Sequence, residues 1–323
     1  MNKRLLTQAC GWTVHSNIAP SIMKKSIHAA EDFIQLQHPS IRYVCRERIK
    51  DTALTYFDPH RKGAEAAKFD VPYTVERLPR SVSSQVSDKL KLAQSIEQHG
   101  LLAYAPKVYT TIDEAIQSGG DPQRLMFVKS RLGAGGFQVS CVKHSDLGSI
   151  EKFDSSYIIQ EGVQNPALFL KRKVVLRFYL FVFDGAVYIS RHGVVIAHGK
   201  DYDPTSTDYK IHVQHNGRDA DTLRFPLYKL PHNDAWFEEL RGLAHNVLPV
   251  LENMRKRSTL FYYGFIGADA IPCEDGTVKL IEFNMQPSLE KPPLVDTVYV
   301  PVFSSVLLMA VAGLNDNTWI KIS

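Results

Sequence analysis

Cysteine is scarce in this chain of 323 residues, and the four present, Cys10, Cys45, Cys141 and Cys273, form no C-x-x-C pair. That spacing argues against a structural zinc site or a disulfide framework and suits a reducing compartment. A strong charge of either sign is missing too. The 38 basic and 34 acidic side chains leave a net +4, too little to argue for nucleic acid. Residues 1–100 hold 15 basic and 10 acidic side chains, which favours an acidic partner at most. The longest apolar tract, residues 299–313, is shorter than the ~20 residues a membrane span needs, and the N-terminus turns polar too soon for a secretory leader. No repeat or low-complexity tract occurs. The expectation is a soluble cytoplasmic protein without membrane or nucleic-acid partners. Its 44% apolar and 22% charged composition is that of a globular chain of about two domains.

What is present is patterned. A helix is expected over residues 22–37 and a strand over 41–45, followed by loops at Asp58-Pro59 and Arg61-Lys62-Gly63. Ser87 is placed to cap a helix that stops at Gly100. Thr111 and Glu114 have capping-box spacing ahead of a short helix ended by Gly119-Gly120. Short strands are expected at 125–130, 138–142 and 157–160. Two hairpins follow, 174–183 with 187–191 around Asp184-Gly185, and 265–271 with 277–284 around Asp275-Gly276. Between them an apolar stripe from Trp236 to Leu251 recurs at helical spacing, as a core face would, and Pro249 should kink or divide that helix. Mixed helices and antiparallel hairpins indicate an α+β protein.

The second hairpin carries the most specific chemistry. A two-residue loop sets Glu274 opposite Thr277 and, counting back along both strands, Asp269 opposite Glu282, with Asn284 on the Glu282 face. Opposed Cβ atoms in an antiparallel pair lie ~4.5–5.5 Å apart, where like charges repel. A hard cation such as Mg²⁺ would reconcile them, since it takes one or two carboxylates plus substrate phosphates. Ala268, Ala270, Ile281 and Phe283 make the opposite, apolar face. The plainer alternative is a solvated hairpin edge whose acids pair with Lys279 or Lys291.

Gly133, Gly135 and Gly136 lie between two strands, the layout of a lid whose backbone N–H groups approach phosphate oxygens without Cβ interference. No Gly-Lys-Ser/Thr follows, so this is neither a Walker A loop nor a dinucleotide fingerprint. A plain hairpin turn explains the cluster alone. Lys129 on the preceding strand, a point charge beside it, favours nucleotide binding. His192, His198, His212 and His215 have no carboxylate or cysteine at zinc-ligand spacing and read as polar or substrate-facing side chains.

In this order, Lys129, the Gly133–Gly136 loop, Tyr157-Ile-Ile-Gln-Glu-Gly-Val163, Arg172-Lys-Val-Val-Leu-Arg177, Tyr188-Ile-Ser-Arg-His-Gly193 and Leu280-Ile-Glu-Phe-Asn284 resemble the tubulin tyrosine ligase-like family of ATP-grasp ligases. The resemblance covers roughly 70% of the chain, residues 88–313. It implies an ATP-grasp fold, two α+β lobes with antiparallel sheets clasping ATP, plus a smaller N-terminal domain. The divisions expected are 1–85, 86–155 with the glycine-rich lid, and 156–323 as the catalytic lobe. It further implies that Lys129 and Lys173 contact ATP phosphates or base. Gln160, Glu161, Gly162 and Val163 would bond adenine through backbone groups. Arg177 and Arg191 would hold the reacting carboxylate or the acyl-phosphate, and Asp269, Glu282 and Asn284 would bind Mg²⁺. The family has an acidic residue two before the position of Arg177, where this chain has Val175. Its His-Leu-Thr-Asn signature is replaced by His212-Val-Gln-His215-Asn216, in which His212 takes the histidine role. On the first hairpin, a two-residue loop turns Arg191 to the face opposite Arg177 unless a bulge intervenes.

The implied activity is ATP-dependent carboxylate–amine ligation, adding an amino acid to a peptide or protein acceptor through an acyl-phosphate. Two alternatives share the ATP site: a small-molecule kinase, and a nucleotide-binding scaffold without turnover. Tubulin is not implied by the ATP site itself.

Overall fold

The computed structural model describes residues 12–15, 20–37, 54–57, 74–133, 138–213, 221–285, 287 and 294–323. The strand expected at 41–45 and the loops at 58–63 lie outside them, as do Gly135, Gly136, His215, Asn216, Lys291, Cys10 and Cys45.

The first described elements are β1 (Trp12–His15), α1 (Pro20–Gln37), β2 (Leu54–Phe57) and β3 (Thr74–Arg77). The three strands run parallel, β1 beside β2 and β2 beside β3. Next come α2 (Arg80–Ser87) and α3 (Lys89–Gln98). The cap of α3 sits one residue later than expected. Asp88, not Ser87, leaves the helical region and its carboxylate accepts from Leu90 N at 3.0 Å and Lys91 N at 3.4 Å, satisfying two orphan donors. Gly100, at φ +68, ends the helix as expected. Then follow β4 (Val108–Tyr109) and α4 (Ile112–Gln117). Thr111 Oγ1 accepts from Glu114 N at 3.1 Å, while the Glu114 carboxylate reaches back to Thr110 N at 2.9 Å, one residue further than a standard capping box.

A small antiparallel sheet is built from β4, β5 (Leu125–Ser130), β6 (Val139–Lys143) and β7 (Tyr157–Glu161), in the order β4-β7-β5-β6. Strand β7 lies past residue 155, so the chain leaves this sheet only after Glu161. Alternation along β5 divides its side chains: Met126 and Val128 join Ala115 and Leu147 in a local core, while Leu125 and Phe127 face the other way.

The remaining elements are β8 (Leu168–Phe169), β9 (Arg172–Phe183), β10 (Ala186–Ala197), α5 (Tyr209–His212), β11 (Leu223–Pro226), α6 (Asn233–Asn246), α7 (Glu252–Arg257), β12 (Tyr262–Pro272), β13 (Val278–Asn284), α8 (Val300–Leu307) and β14 (Trp319–Lys321). Pro249 does divide the predicted helix: a 3₁₀ turn over Leu248–Leu251 separates α6 from α7. A ten-stranded mixed sheet runs β1-β2-β3-β12-β9-β10-β11, with β8, β13 and β14 paired to its members. Strand β9 lies at its centre and is covered on both faces. Val175, Tyr179, Phe181 and Phe183 pack with residues of α1 and α8; Val174, Leu176, Phe178, Leu180 and Val182 pack with residues of α6. Double burial explains its nearly unbroken apolar run. The apolar tract at 299–313 is spent covering the first of these faces, and no helix among the described residues is long and apolar enough to cross a membrane.

Both hairpins form, and each departs from its expected register. Asp184 (φ +47) and Gly185 (φ +73) make the two-residue turn with Phe183 opposite Ala186. A bulge then falls between Ile189 and Gly193 and inserts two residues, so Arg177 faces Val194. An even insertion preserves the alternation, and Arg191 stays on the face opposite Arg177. In the second hairpin Cys273 N donates to Thr277 O, so the loop holds three residues and Pro272 faces Val278. A bulge between Asp269 and Ala270 then takes up one residue of β13, and Asp269 faces Glu282 as expected. The extra residue is Ile281, which leaves the apolar face expected for it; Leu280 takes that place in the core.

The first bulge brings Gly193 against Arg177. A Cβ at Gly193 would lie 2.9 Å from the Arg177 carbonyl oxygen and 3.3 Å from Leu227 Cδ2. Gly193→Ala should therefore destabilise the protein by about 1–3 kcal/mol, read as a lower denaturant midpoint; an unchanged midpoint would contradict this register.

Candidate functional site

A small cavity of about 70 Å³ opens where the two sheets face each other, below the usual size of a small-molecule site. Alternation brings its walls together. Strand β5 turns Phe127 and Lys129 toward it, and β9 turns Lys173 and Val175 toward it. Strands β12 and β13 contribute Asp269, Ile271, Ile281 and Glu282, and α3 contributes Lys89. Of the residues expected to form the site, Lys129, Gly133, Gln160, Glu161, Val163, Lys173, His212, Asp269 and Glu282 all line this one space.

The carboxylates belong to a charged row running across three neighbouring strands. Arg177 on β9 faces Asp269 on β12, and Asp269 faces Glu282 on β13. The Arg177 guanidinium holds Asp269 bidentately, Nε to Oδ1 at 2.8 Å and Nη2 to Oδ2 at 2.7 Å. Asp269 is 2% exposed, so this fork replaces its lost hydration. Burial alone would lower the Arg177 pKa, but Asp269 outweighs it and the net shift is upward. Glu282 Oε2 lies 3.2 Å from Lys89 Nζ, and the same ammonium donates to the Gly133 carbonyl at 2.6 Å. Asn284 donates to Asp269 Oδ2 and Glu282 Oε1, both at 3.2 Å.

The repulsion between the two acids is thus relieved by Arg177, Lys89 and the Asn284 amide, without requiring an ion. Of the two lysines weighed as plain alternatives, Lys279 donates to the Ala103 carbonyl instead, and Lys291 lies outside the described residues. Two carboxylates and one amide still suit a hard cation, because a half-turn of the Asn284 amide exchanges its nitrogen for oxygen. No group of three His, Cys, Asp or Glu with metal-site geometry occurs among the described residues, so any cation here would draw on the amide and on the substrate.

The other cations are differently placed. Lys173 Nζ lies 4.9 Å from the Phe127 ring centre and Lys129 Nζ 5.4 Å from it. Lys129 donates to Gln160 Oε1 at 2.5 Å. Neither lysine has a carboxylate within ion-pair distance among the described residues. Burial pushes Lys129 down to about 8 against the pull of Glu282; burial and the neighbouring Lys129 push Lys173 down to about 8.

The expected hinge is partly committed to the fold. Glu161 N donates to Lys107 O and Gly162 N to Leu125 O, and the Glu161 carboxylate pairs with Tyr109 and Arg124. The Val163 N–H has no hydrogen-bond partner among the described residues. His212 is 3% exposed at the end of α5, with Phe127 and Tyr202 edge-on around its ring.

Gly162, Arg177 and Asn284 are not among the residues lining the cavity, though the last two contact Asp269, and one expected member is elsewhere. Arg191 is exposed, with its guanidinium 6.0 Å from the Phe237 ring centre, and Phe237 packs on the core face behind the sheet. The two-residue turn sets that face, and the even bulge in β10 preserves it. Gly135 and Gly136 lie outside the described residues. One member, Lys89, escaped sequence reasoning. Lys89 resembles an ordinary first-turn lysine, and only the approach of α3 to β13 reveals it.

Lys173 offers a test of this electrostatic arrangement. Its pKa falls from 10.5 to about 8 on folding, so the protonated side chain opposes folding below about pH 8, and the penalty fades as pH rises toward 10.5. Lys173→Met should raise the melting temperature of the ligand-free protein at pH 7, with the gain shrinking by pH 10. A gain independent of pH would show that the Lys173 pKa does not fall on folding. Compared with models of known protein families and with curated protein sequences, the chain finds no match.

Proposed function

We propose that the chain is an ATP-grasp enzyme, similar to the tubulin tyrosine ligase-like proteins, that couples a carboxylate to an amine at the expense of ATP. One observation carries this reading: two ammonium groups, half-buried Lys129 and buried Lys173, have no carboxylate at ion-pair distance among the described residues and share a cavity with a carboxylate pair. Such a space attracts a polyanion that brings its own divalent ion. Phe127, Val163, Val175, Ile271 and Ile281 supply apolar walls suited to a base.

In this reading Lys129 and Lys173 neutralise phosphate oxygens, and Lys89 holds the start of the glycine loop over them. Asp269, Glu282 and Asn284 would hold Mg²⁺, whose charge, when bound, stabilises the phosphoryl group in transit. Arg177 fixes Asp269 and so orients that ligand set. Positioning and charge neutralisation are the main demands of phosphoryl transfer. A larger cleft of about 500 Å³ beside α3 and β4 shares Lys89, Gln160 and Ile281 with the cavity, and gives a polypeptide acceptor a route to it.

The position of Arg191 favours a second reading. With Arg191 outside the cavity and Arg177 engaged by Asp269, fewer cations remain for a substrate carboxylate, as a hydroxyl acceptor would require. A kinase keeps the phosphate on its product, whereas a ligase releases it.

The protein incubated with Mg·ATP and a cell lysate should therefore release free phosphate and ADP and add amino-acid mass increments to acceptor proteins. Glu282→Gln should lower turnover by about 10²–10³-fold without lowering the melting temperature substantially. Near-normal turnover in that variant overturns the metal assignment; ADP without free phosphate favours the kinase.

A further inference from the structure

We infer that His212 selects adenine by accepting a hydrogen bond from its exocyclic amino group, an inference that rests on the nucleotide reading above. The tautomer is set by the fold. Nε2 of His212 lies 3.1 Å from the Asp203 carbonyl oxygen, and a carbonyl can only accept, so Nε2 carries the proton and Nδ1 a lone pair. Nδ1 is buried and has no hydrogen-bond partner. A buried polar atom without a partner costs stability unless a ligand supplies one.

The surroundings keep the ring neutral. Burial, and then the adjacent Lys173 ammonium, push its pKa down to about 4, although the Asp203 and Ser206 backbone oppose this. Lys173 Nζ lies 3.5 Å from the His212 carbonyl oxygen, which places the imidazole beside the lysine that also approaches the Phe127 ring. His212 is therefore ill suited to protonate a substrate at neutral pH and well suited to accept.

The second polar group of the slot completes the pattern. Val163 also lines the cavity, and its N–H has no hydrogen-bond partner among the described residues. One donor and one acceptor match the pairing edge of adenine, whose N1 accepts and whose amino group donates. Guanine presents the reverse, with O6 against the Nδ1 lone pair and N1–H against the Val163 N–H. A buried site left with two such mismatches rejects the wrong base.

The test compares Mg·ATP with purine riboside 5′-triphosphate, which keeps every phosphate and lacks only the amino group, and with Mg·GTP. Wild type should bind ATP about tenfold more tightly than the purine analogue, the order of one buried hydrogen bond, and GTP more weakly still. His212→Leu should bring ATP and the analogue to nearly equal affinity, while His212→Asn, whose amide oxygen can replace Nδ1, should keep part of the preference. Melting curves monitor folding of both variants, and the wild-type comparison needs no variant. Equal affinity of wild type for ATP and the analogue, or a preference that survives in folded His212→Leu, overturns the inference alone. Binding of no triphosphate by wild type overturns it together with the nucleotide reading.

Discussion

The bidentate contact between Arg177 and Asp269 is the constraint around which the cavity is organised. An aspartate 2% exposed is tolerable only because a guanidinium fork on the neighbouring strand meets both of its oxygens. That pairing allows a second acid, Glu282, to stand directly beside it on the next strand. Glu282 in turn draws Lys89 from α3, and Lys89 grips the carbonyl of Gly133. One chain of charges therefore ties the centre of the large sheet to a helix and to the loop of the small sheet.

Against that satisfied row, Lys129 and Lys173 are expensive. Each has lost hydration and gained only an aromatic face and polar oxygens, and burial lowers the pKa of both. Folding alone gives no reason to keep two such groups 4.9 and 5.4 Å from one phenylalanine ring. Perturbed groups of this kind concentrate where a protein binds or reacts. The apolar side chains between them and the hinge explain the lost hydration, since they keep water away.

Much of the fold was legible because the signals were local. The Thr111 cap, the turn glycines, Asp184-Gly185 and the break at Pro249 each depend on the conformational limits of a few adjacent residues, whereas the cap of α3 fell to Asp88 rather than Ser87. The opposition of Asp269 and Glu282 was also anticipated, although for an incomplete reason: the loop is one residue longer than expected, and a bulge at Ile281 restores the register. Bulges are invisible to alternation, because the inserted residue looks like any other apolar position. The same blindness concealed the bulge in β10, where an even insertion left Arg191 on the far face.

Sequence by itself determined which residues alternate, where helices start and stop, and that lysines, carboxylates and glycines recur in an order suited to a nucleotide. Backbone stereochemistry and side-chain period decide those matters over a few residues. Tertiary structure alone decided which charges meet. The pairing of Lys89 with Glu282, of Arg177 with Asp269, and the enclosure of His212 join segments tens of residues apart. Such contacts depend on strand order and on how the two sheets approach, and no local preference encodes either.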